Sequence, residues 1–136
     1  MNYTRKGQNH SQNGLGSSEA HTRLVKEIHL AVGSMPDCRA WVRNVGFDEN
    51  RKIKYGVNGE SDIQFIMNVN GLGIMGSIEV KTGNAGQSTD QKNYEAMIKK
   101  FGGIYFVARS VEDATIGIEK AKLEILEKIK KVVDNF

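Results

Sequence analysis

Residues 77–83 of the 136-residue chain read SIEVKTG, and residues 59–63, shortly before them, read GESDI. The first stretch alternates apolar and polar side chains, which is typical of a β-strand with one buried face. Ile78 and Val80 would then enter the core, whereas Glu79 and Lys81 would share the opposite face, because residues i and i+2 of a strand point the same way. An acid and a base at this spacing indicate either a surface salt-bridge ladder or a metal site that cleaves phosphodiesters.

The segments upstream of this strand predict a helix and two further strands. Residues 1–16 are rich in Asn, Gln, Ser and Gly and have little to bury, so we interpret them as a flexible arm before a single domain at 17–136. A helix is predicted from residues 17 and 18, where a hydroxyl can cap it, to Gly33. Strands are predicted at 39–47 and 61–68, with a polar connector at 48–60. Asn70 and Gly71 predict a hairpin into the strand at 74–81.

Downstream, the pattern returns to helix, strand and helix. Ser88 and Gln91 have capping-box spacing, which predicts a helix to about residue 100. Residues 104–108, IYFVA, read as a buried strand, and Ser110 begins a last helix to about residue 133. The apolar stripe of that helix is expected to pack on the sheet, although a dimer contact is the alternative. Its residues are Ile118, Ala121, Ile125, Ile129 and Val132.

The order α-β-β-β-α-β with a C-terminal helix predicts an α/β (α+β) fold, a mixed central sheet flanked by helices. One domain of this length can bury a hydrophobic core. No apolar run approaches the roughly 20 residues that span a bilayer, and no secretory signal is recognisable at the N-terminus. The single cysteine excludes an intramolecular disulfide. We therefore expect a cytoplasmic protein with no membrane partner.

Charge is distributed unevenly along the chain. Residues 1–54 carry 9 Lys and Arg against 5 Asp and Glu, residues 55–90 carry 1 against 4, and residues 91–136 carry 9 against 7. The acids thus concentrate around the two quoted stretches, between basic flanks. Carboxylates that hold cations within a basic surface would suit a nuclease, although chance variation gives the same pattern.

A hairpin would also bring Asp62 beside Glu79. Two adjacent carboxylates repel each other unless a cation joins them, and Mg²⁺ usually takes one or two carboxylates together with water and phosphate. Lys81 on the same face could orient a water molecule or stabilise charge on phosphate. The pattern Asp90-Gln91-Lys92 is excluded as an equivalent because it opens a helix, where i and i+2 do not share a face.

Together, these motifs resemble a known nuclease superfamily. The G-x-x-D-I at 59–63, the I-E-V-K-T-G at 78–83, the S-T-D-Q at 88–91 and the GGIYFVARS at 102–110 follow one another as in the PD-(D/E)XK nucleases. The chain most closely resembles the virus-type replication-repair nuclease domain, VRR-Nuc, from about residue 19 to 114. It departs from that pattern before Asp62, where the family commonly has proline and this chain has Ser61.

The resemblance implies a restriction-endonuclease-like core and a Mg²⁺- or Mn²⁺-dependent DNA nuclease. The metal ligands that it implies are Asp62, Glu79 and the main-chain carbonyl of Val80, with Lys81 as the catalytic lysine. It also implies site roles for Glu19 on the first helix and for Gln91. Each of these last two has a simpler reading, Glu19 as an acid in a helical first turn and Gln91 as part of the cap.

Three further residues are candidates for contacts to the DNA backbone. Arg43 and Asn44 lie where the family often has an asparagine-containing strand, and Lys54 lies two residues before Gly56. Solvated surface is the alternative reading for all three. The histidines show no ligand spacing with one another, so no zinc site is predicted.

By resemblance, short members of the family are phage or prokaryotic proteins that dimerise and cut branched DNA, such as four-way (Holliday) junctions in recombination or repair. A RecB-like nuclease is the nearest alternative within the superfamily. Outside it, the alternatives are a DNA-binding module without chemistry and a structural partner of another replication protein.

Overall fold

A four-stranded mixed sheet forms the centre of the fold in a computed structural model that describes residues 8–43 and 46–136. In chain order the elements are α1 (Gln8–Gly33), β1 (Cys38–Val42), β2 (Gly46–Asp48), β3 (Ile53–Tyr55), β4 (Ile63–Val69), β5 (Leu72–Val80), α2 (Thr89–Lys100), β6 (Ile104–Ala108) and α3 (Val111–Asp134). The sheet order is β1-β4-β5-β6, and β2 and β3 form a separate pair. The first three strands are antiparallel neighbours, whereas β6 runs parallel to β5.

Helices cover both faces of the sheet. On one face, α1 and α3 bury a core that includes Ile28, Phe65 and Ile118. On the other, α2 places Tyr94 and Ile98 against β6 in a smaller cluster. This mixed α/β architecture confirms the expected class. Apart from the β2–β3 pair, the elements also follow the expected order of helix, three strands, helix, strand and helix.

Two turn and cap predictions are confirmed. Asn70 and Gly71 have φ angles of 52° and 84°, and Val69 pairs with Leu72 across a two-residue hairpin. Positive φ at both central residues is what a type I′ turn requires. The helix α2 begins after Ser88, which forms both hydrogen bonds of the capping box with Gln91.

The apolar stripe of α3 packs on the sheet and on α1 over most of its length. Ile118, Ala121 and Ile125 are buried, and Ile129 packs at the edge of the core. Val132 departs from the expectation, because it is 58% exposed near the end of the helix, where no element covers it among the described residues. The dimer contact considered for this stripe stays a prediction.

Three boundaries differ from those expected. The first helix begins at Gln8 and not at residues 17 and 18. It therefore runs without a break across residue 16, where the flexible arm was expected to end. Extending a formed helix needs no new nucleus, and a polar sequence can therefore continue it. The single strand expected at 39–47 ends at Val42, and β2 starts separately at Gly46. The supposed connector contains β3, which pairs with β2.

None of the helices in the described part of the chain combines the length and the apolar character that crossing a membrane requires.

Candidate active site

The register of the β4–β5 hairpin places Asp62 next to Glu79. Ile63 pairs with Ile78, so the residues just beyond that pair lie side by side where the hairpin meets α2. Asp62 is 4% exposed and Glu79 is 3% exposed, although both are acids. Ile78 and Val80 are buried on the opposite face, as the alternation of the sequence predicted.

Asp62 is held by one backbone group and two basic side chains. Its Oδ2 accepts a hydrogen bond of 2.9 Å from the backbone N–H of Val80. The Nη2 of Arg43 lies 3.6 Å from its Oδ1, and the Nε2 of His21 lies 3.4 Å from its Oδ2. The same His21 nitrogen lies 3.1 Å from the carbonyl oxygen of Val80. Because both oxygens are acceptors, this Nε2 carries a hydrogen and donates it.

Glu79 is only partly satisfied. Its Oε1 accepts a 2.9 Å hydrogen bond from Gln91 Nε2 and lies 3.5 Å from Lys81 Nζ. Its Oε2 is buried and has no hydrogen-bond partner among the described residues. An unpartnered buried carboxylate oxygen is costly, and it is rare outside functional sites.

The pKa of Glu79 is correspondingly raised, to about 7 from an ordinary 4.5. Burial is the largest cause, and the neighbouring charge of Asp62 adds to it, while Lys81 and Arg43 act in the opposite direction without offsetting these effects. Near neutral pH the negative charge of the acid pair is therefore not fully compensated by the basic groups around it. A proton or a bound cation would compensate the remainder.

Gln91 connects the acid pair with the lysine. Lys81 Nζ donates a 2.9 Å hydrogen bond to Gln91 Oε1, which also accepts the backbone N–H of Ser88 at 2.9 Å. The amide group of Gln91 in turn donates to Glu79. Capping of α2 and orientation of the site are thus performed by one side chain, so the two roles considered for Gln91 do not exclude each other.

A glycine sets the distance between α2 and the turn before Asp62. Gly59 has a φ of +73°, and a Cβ at this position would lie 2.1 Å from the carbonyl oxygen of Asp90. Only a residue without a side chain permits this approach. Arg43 fastens the same turn by donating a 2.7 Å hydrogen bond to the carbonyl oxygen of Glu60.

The structure brings together Asp62, Glu79, Val80, Lys81 and Gln91, but it does not bring in every candidate. Glu19 is exposed on α1, and no hydrogen bond or ion pair joins it to this cluster among the described residues. Lys54 lies on β3, exposed, with its amine against Asn58. Asn44 lies outside the described residues. Arg43 contacts Asp62. Its contact with the DNA backbone stays a prediction.

His21 is a site residue that the sequence reasoning did not select. Sequence reasoning considered it only as a possible zinc ligand. Positions 21, 25, 28 and 32 recur at intervals of four, three and four, and Val25, Ile28 and Val32 are all buried. A histidine in line with the buried stripe of α1 was the signal that it faces the sheet.

The donor atoms suit a hard divalent cation. Among the described residues, no group of three or more His, Cys, Asp or Glu side chains forms a metal cluster. Mg²⁺ requires fewer, because it keeps several waters and takes one or two carboxylates. Asp62 and the unpartnered Oε2 of Glu79 offer two carboxylates, and the carbonyl oxygen of Val80 lies on the same side as Asp62 Oδ2.

No family model, curated protein sequence or solved structure matches this chain.

Proposed function

We propose that this protein is a divalent-metal-dependent endonuclease that hydrolyses phosphodiester bonds in DNA. The observation that carries the proposal is the buried pair Asp62 and Glu79, whose charge is incompletely compensated, beside Lys81 on the same strand face. A fold that only needed stability gains little from two adjacent buried acids, since their desolvation and mutual repulsion both cost free energy. Such strain is typical of functional sites.

Each residue of the cluster has a definite task in this proposal. Asp62, Glu79 and the carbonyl oxygen of Val80 would hold Mg²⁺ or Mn²⁺. When bound, such an ion acidifies water and neutralises charge on the phosphate. Lys81 would place its ammonium group near the reacting phosphate. The hydrogen bond that it donates to Gln91 Oε1 restricts the conformations of this side chain. Gln91 thereby orients Lys81 and Glu79 together.

The topology supports a restriction-endonuclease-like core of the VRR-Nuc kind. That resemblance implies the order α-β-β-β-α-β with a mixed central sheet. The elements α1, β1, β4, β5, α2 and β6 follow this order, and their sheet is mixed. Glu79 lies on β5, whereas Asp62 immediately precedes β4 and Lys81 immediately follows β5, so all three lie at one end of the central strands. Fold alone does not determine function, so the side-chain geometry remains the stronger argument.

Branched DNA is the substrate that we propose on the strength of the resemblance. Symmetric cuts in a four-way junction need two active sites related by a two-fold axis, so a homodimer is part of the proposal. Light scattering of the purified protein, alone and with a junction, tests it. A monomer under both conditions would remove the junction from the list of substrates while leaving flaps and splayed arms.

The test of the chemistry is cleavage of a panel of flap, splayed, duplex and four-way DNAs with Mg²⁺ or Mn²⁺. Wild-type protein should cut in a metal-dependent manner, and Asp62→Asn and Glu79→Gln should not. Asp90→Asn is the matched control, because it removes an exposed acid from the helix-start pattern excluded above. Equal cleavage by all four proteins would refute the assignment of the acids.

A DNA-binding module without chemistry is the second candidate, and one observation favours it. Asp62 already has the guanidinium of Arg43 3.6 Å from its Oδ1 and the Nε2 of His21 3.4 Å from its Oδ2, so the fold itself supplies part of the compensation that a metal would bring. This candidate predicts DNA binding without cleavage at any concentration of Mg²⁺ or Mn²⁺. A protein that neither binds nor cuts DNA would point instead to the structural role.

A further inference from the structure

A groove of about 600 Å³ adjoins Lys81 on the side of the site away from Asp62. Residues 85–87 form one wall, and the first turns of α3 form the other. Its volume falls within the range of small-molecule sites, about 300–1,000 Å³, which is large enough for a single nucleotide. Lys81 lines this groove and also contacts Glu79 of the acid pair. An occupant of the groove would therefore lie next to the reacting bond.

The charge of the groove is positive. Lys81, Arg109 and Lys120 line it, with Asp113 as the only acid among the lining residues. The guanidinium of Arg109 donates to the carbonyl oxygens of Gly83 and Ala85 at 2.8 and 2.7 Å. These neutral acceptors fix the side chain without cancelling its charge.

The acid in the groove, Asp113, accepts a hydrogen bond from the backbone. Asp113 Oδ2 accepts the backbone N–H of Arg109 at 2.9 Å, just before the start of α3. Lys120 lies about two turns further along α3 and forms no ion pair among the described residues. Besides Lys81, the groove therefore presents two cations, Arg109 and Lys120, whereas the basic groups that pair with Asp62 and Glu79 are His21, Arg43 and Lys81.

Apolar side chains line the same groove. Phe106 is only partly buried, and Ile116 is 44% exposed. Gly117 lets α3 approach this part of β6, because a Cβ there would lie 2.5 Å from the ring of Phe106. Apolar and cationic side chains in one groove match a nucleotide, which has a flat base and a charged phosphate.

We propose that this groove binds one unpaired nucleotide of a DNA strand beside the bond to be cut, an inference that rests on the proposed nuclease function. The base packs against Phe106 and Ile116, and Arg109 and Lys120 contact the phosphate. A base inside a duplex is paired and stacked and cannot enter without being extruded. Among the branched DNAs proposed above, the substrate is thereby narrowed to those with an unpaired nucleotide at the cleavage site, such as flaps and splayed arms. A four-way junction fits only if a base at the cut is unpaired.

The test is direct binding in EDTA, where no cleavage occurs. Fluorescence anisotropy compares a labelled single strand of about ten nucleotides, a typical single-strand site size, with a duplex of the same length. Wild-type protein should prefer the single strand. Lys120→Glu should weaken single-strand binding about tenfold or more, while Lys128→Glu, the same charge change further along α3, should weaken it far less. Equal losses in the two variants would overturn the proposal.

A second pair of variants distinguishes contacts to the base from contacts to the phosphate. Ile116→Ser should weaken binding of the single strand several-fold but leave binding of an abasic strand of equal length unchanged. Leu123→Ser, at another exposed position of α3, should change neither. Equal effects of Ile116→Ser on both strands would refute the placement of the base, and circular dichroism verifies that each variant is folded.

The outcomes separate this inference from the proposed function. If wild-type protein cuts with Mg²⁺ but Lys120→Glu and Lys128→Glu bind alike, the groove assignment fails and the nuclease stands. If Lys120→Glu alone loses single-strand binding but no metal supports cleavage, the nuclease fails and the groove stands as a nucleotide site. Displacement of the single strand by an acidic peptide as readily as by thymidine nucleotides would overturn the inference, because charge alone would then explain binding.

Discussion

Replacing Glu79 by Gln should stabilise the metal-free protein at neutral and alkaline pH. The pKa of Glu79 rises from an ordinary 4.5 to about 7 on folding, first through burial and then through the charge of Asp62. Between these values the folded chain keeps a proton that the unfolded chain has lost. The free energy of unfolding therefore falls as pH rises through this window, and this loss is complete above about pH 7.

The size of this effect follows from the two pKa values. Each unit of pKa difference corresponds to about 1.36 kcal/mol, so full ionisation of Glu79 costs roughly 3 kcal/mol of stability. Glutamine keeps the acceptor for Gln91 Nε2 and never ionises. We expect Glu79→Gln and wild type to differ little near pH 4.5 and to differ by up to roughly 3 kcal/mol above pH 7, with the variant more stable.

Urea unfolding in EDTA from about pH 4.5 to 8.5, followed by far-ultraviolet circular dichroism, measures this difference. Glu95→Gln is the matched control. Burial opposes ionisation of Glu95, yet hydrogen bonds from Lys99 and Gln87 hold its pKa below the ordinary value. Its replacement should therefore give no gain at high pH. A Glu79→Gln variant that is equally stable or less stable than wild type at pH 8 would refute the view that the acid pair lacks a cation.

Three further results are expected. Lys81→Ala should lower the cleavage rate about a hundredfold, as loss of a transition-state contact does, while calorimetric Mn²⁺ affinity stays within a few-fold; unchanged cleavage would show that the amine is not catalytic. Gly59→Ala should destabilise the fold by at least about 2 kcal/mol, because it combines positive φ with a clash against Asp90. Gly71→Ala is the control: this position also has positive φ but open space around it, so the substitution should cost less stability in the same urea assay. DNA affinity measured by anisotropy should fall roughly tenfold or more between about 50 and 200 mM salt, and a flat response would argue against phosphate contacts.

Local signals in the sequence were sufficient where an element depends on its own neighbours. The cap formed by Ser88 and Gln91 and the turn at Asn70 and Gly71 each need only residues within one turn, and both are present. The alternation around Glu79 also predicted which side chains enter the core. These features give the strand and helix that carry the site.

The β2–β3 pair was missed because its strands are short and its sequence is polar. A signal did exist, since Asp48 Oδ1 accepts the backbone N–H groups of both Asn50 and Arg51. Asp at the start of such a segment is typical of an Asx turn. Lys52 adopts a φ of 55° in the same turn, which its residue type did not indicate.

The surroundings of Asp62 depend on contacts between distant parts of the chain. His21 reaches Asp62 from α1, and Arg43 reaches it from the residue after β1. Neither contact follows from spacing along the sequence, because each is set by how α1 packs and where β1 ends. The exposed position of Glu19 on α1 has a similar cause, because a helix residue's direction depends on which face of the helix the core buries. Its role at the metal stays a prediction.

The most direct test of the shared cation is calorimetric titration of Mn²⁺ into the metal-free protein, without DNA. Wild-type protein and Asp90→Asn should show the same saturable binding, and Asp62→Asn and Glu79→Gln should each lower the affinity at least about tenfold, as loss of one of few ligands would. Mn²⁺ binding of equal strength in all four proteins would contradict the account, because the two buried carboxylates would then not hold the metal.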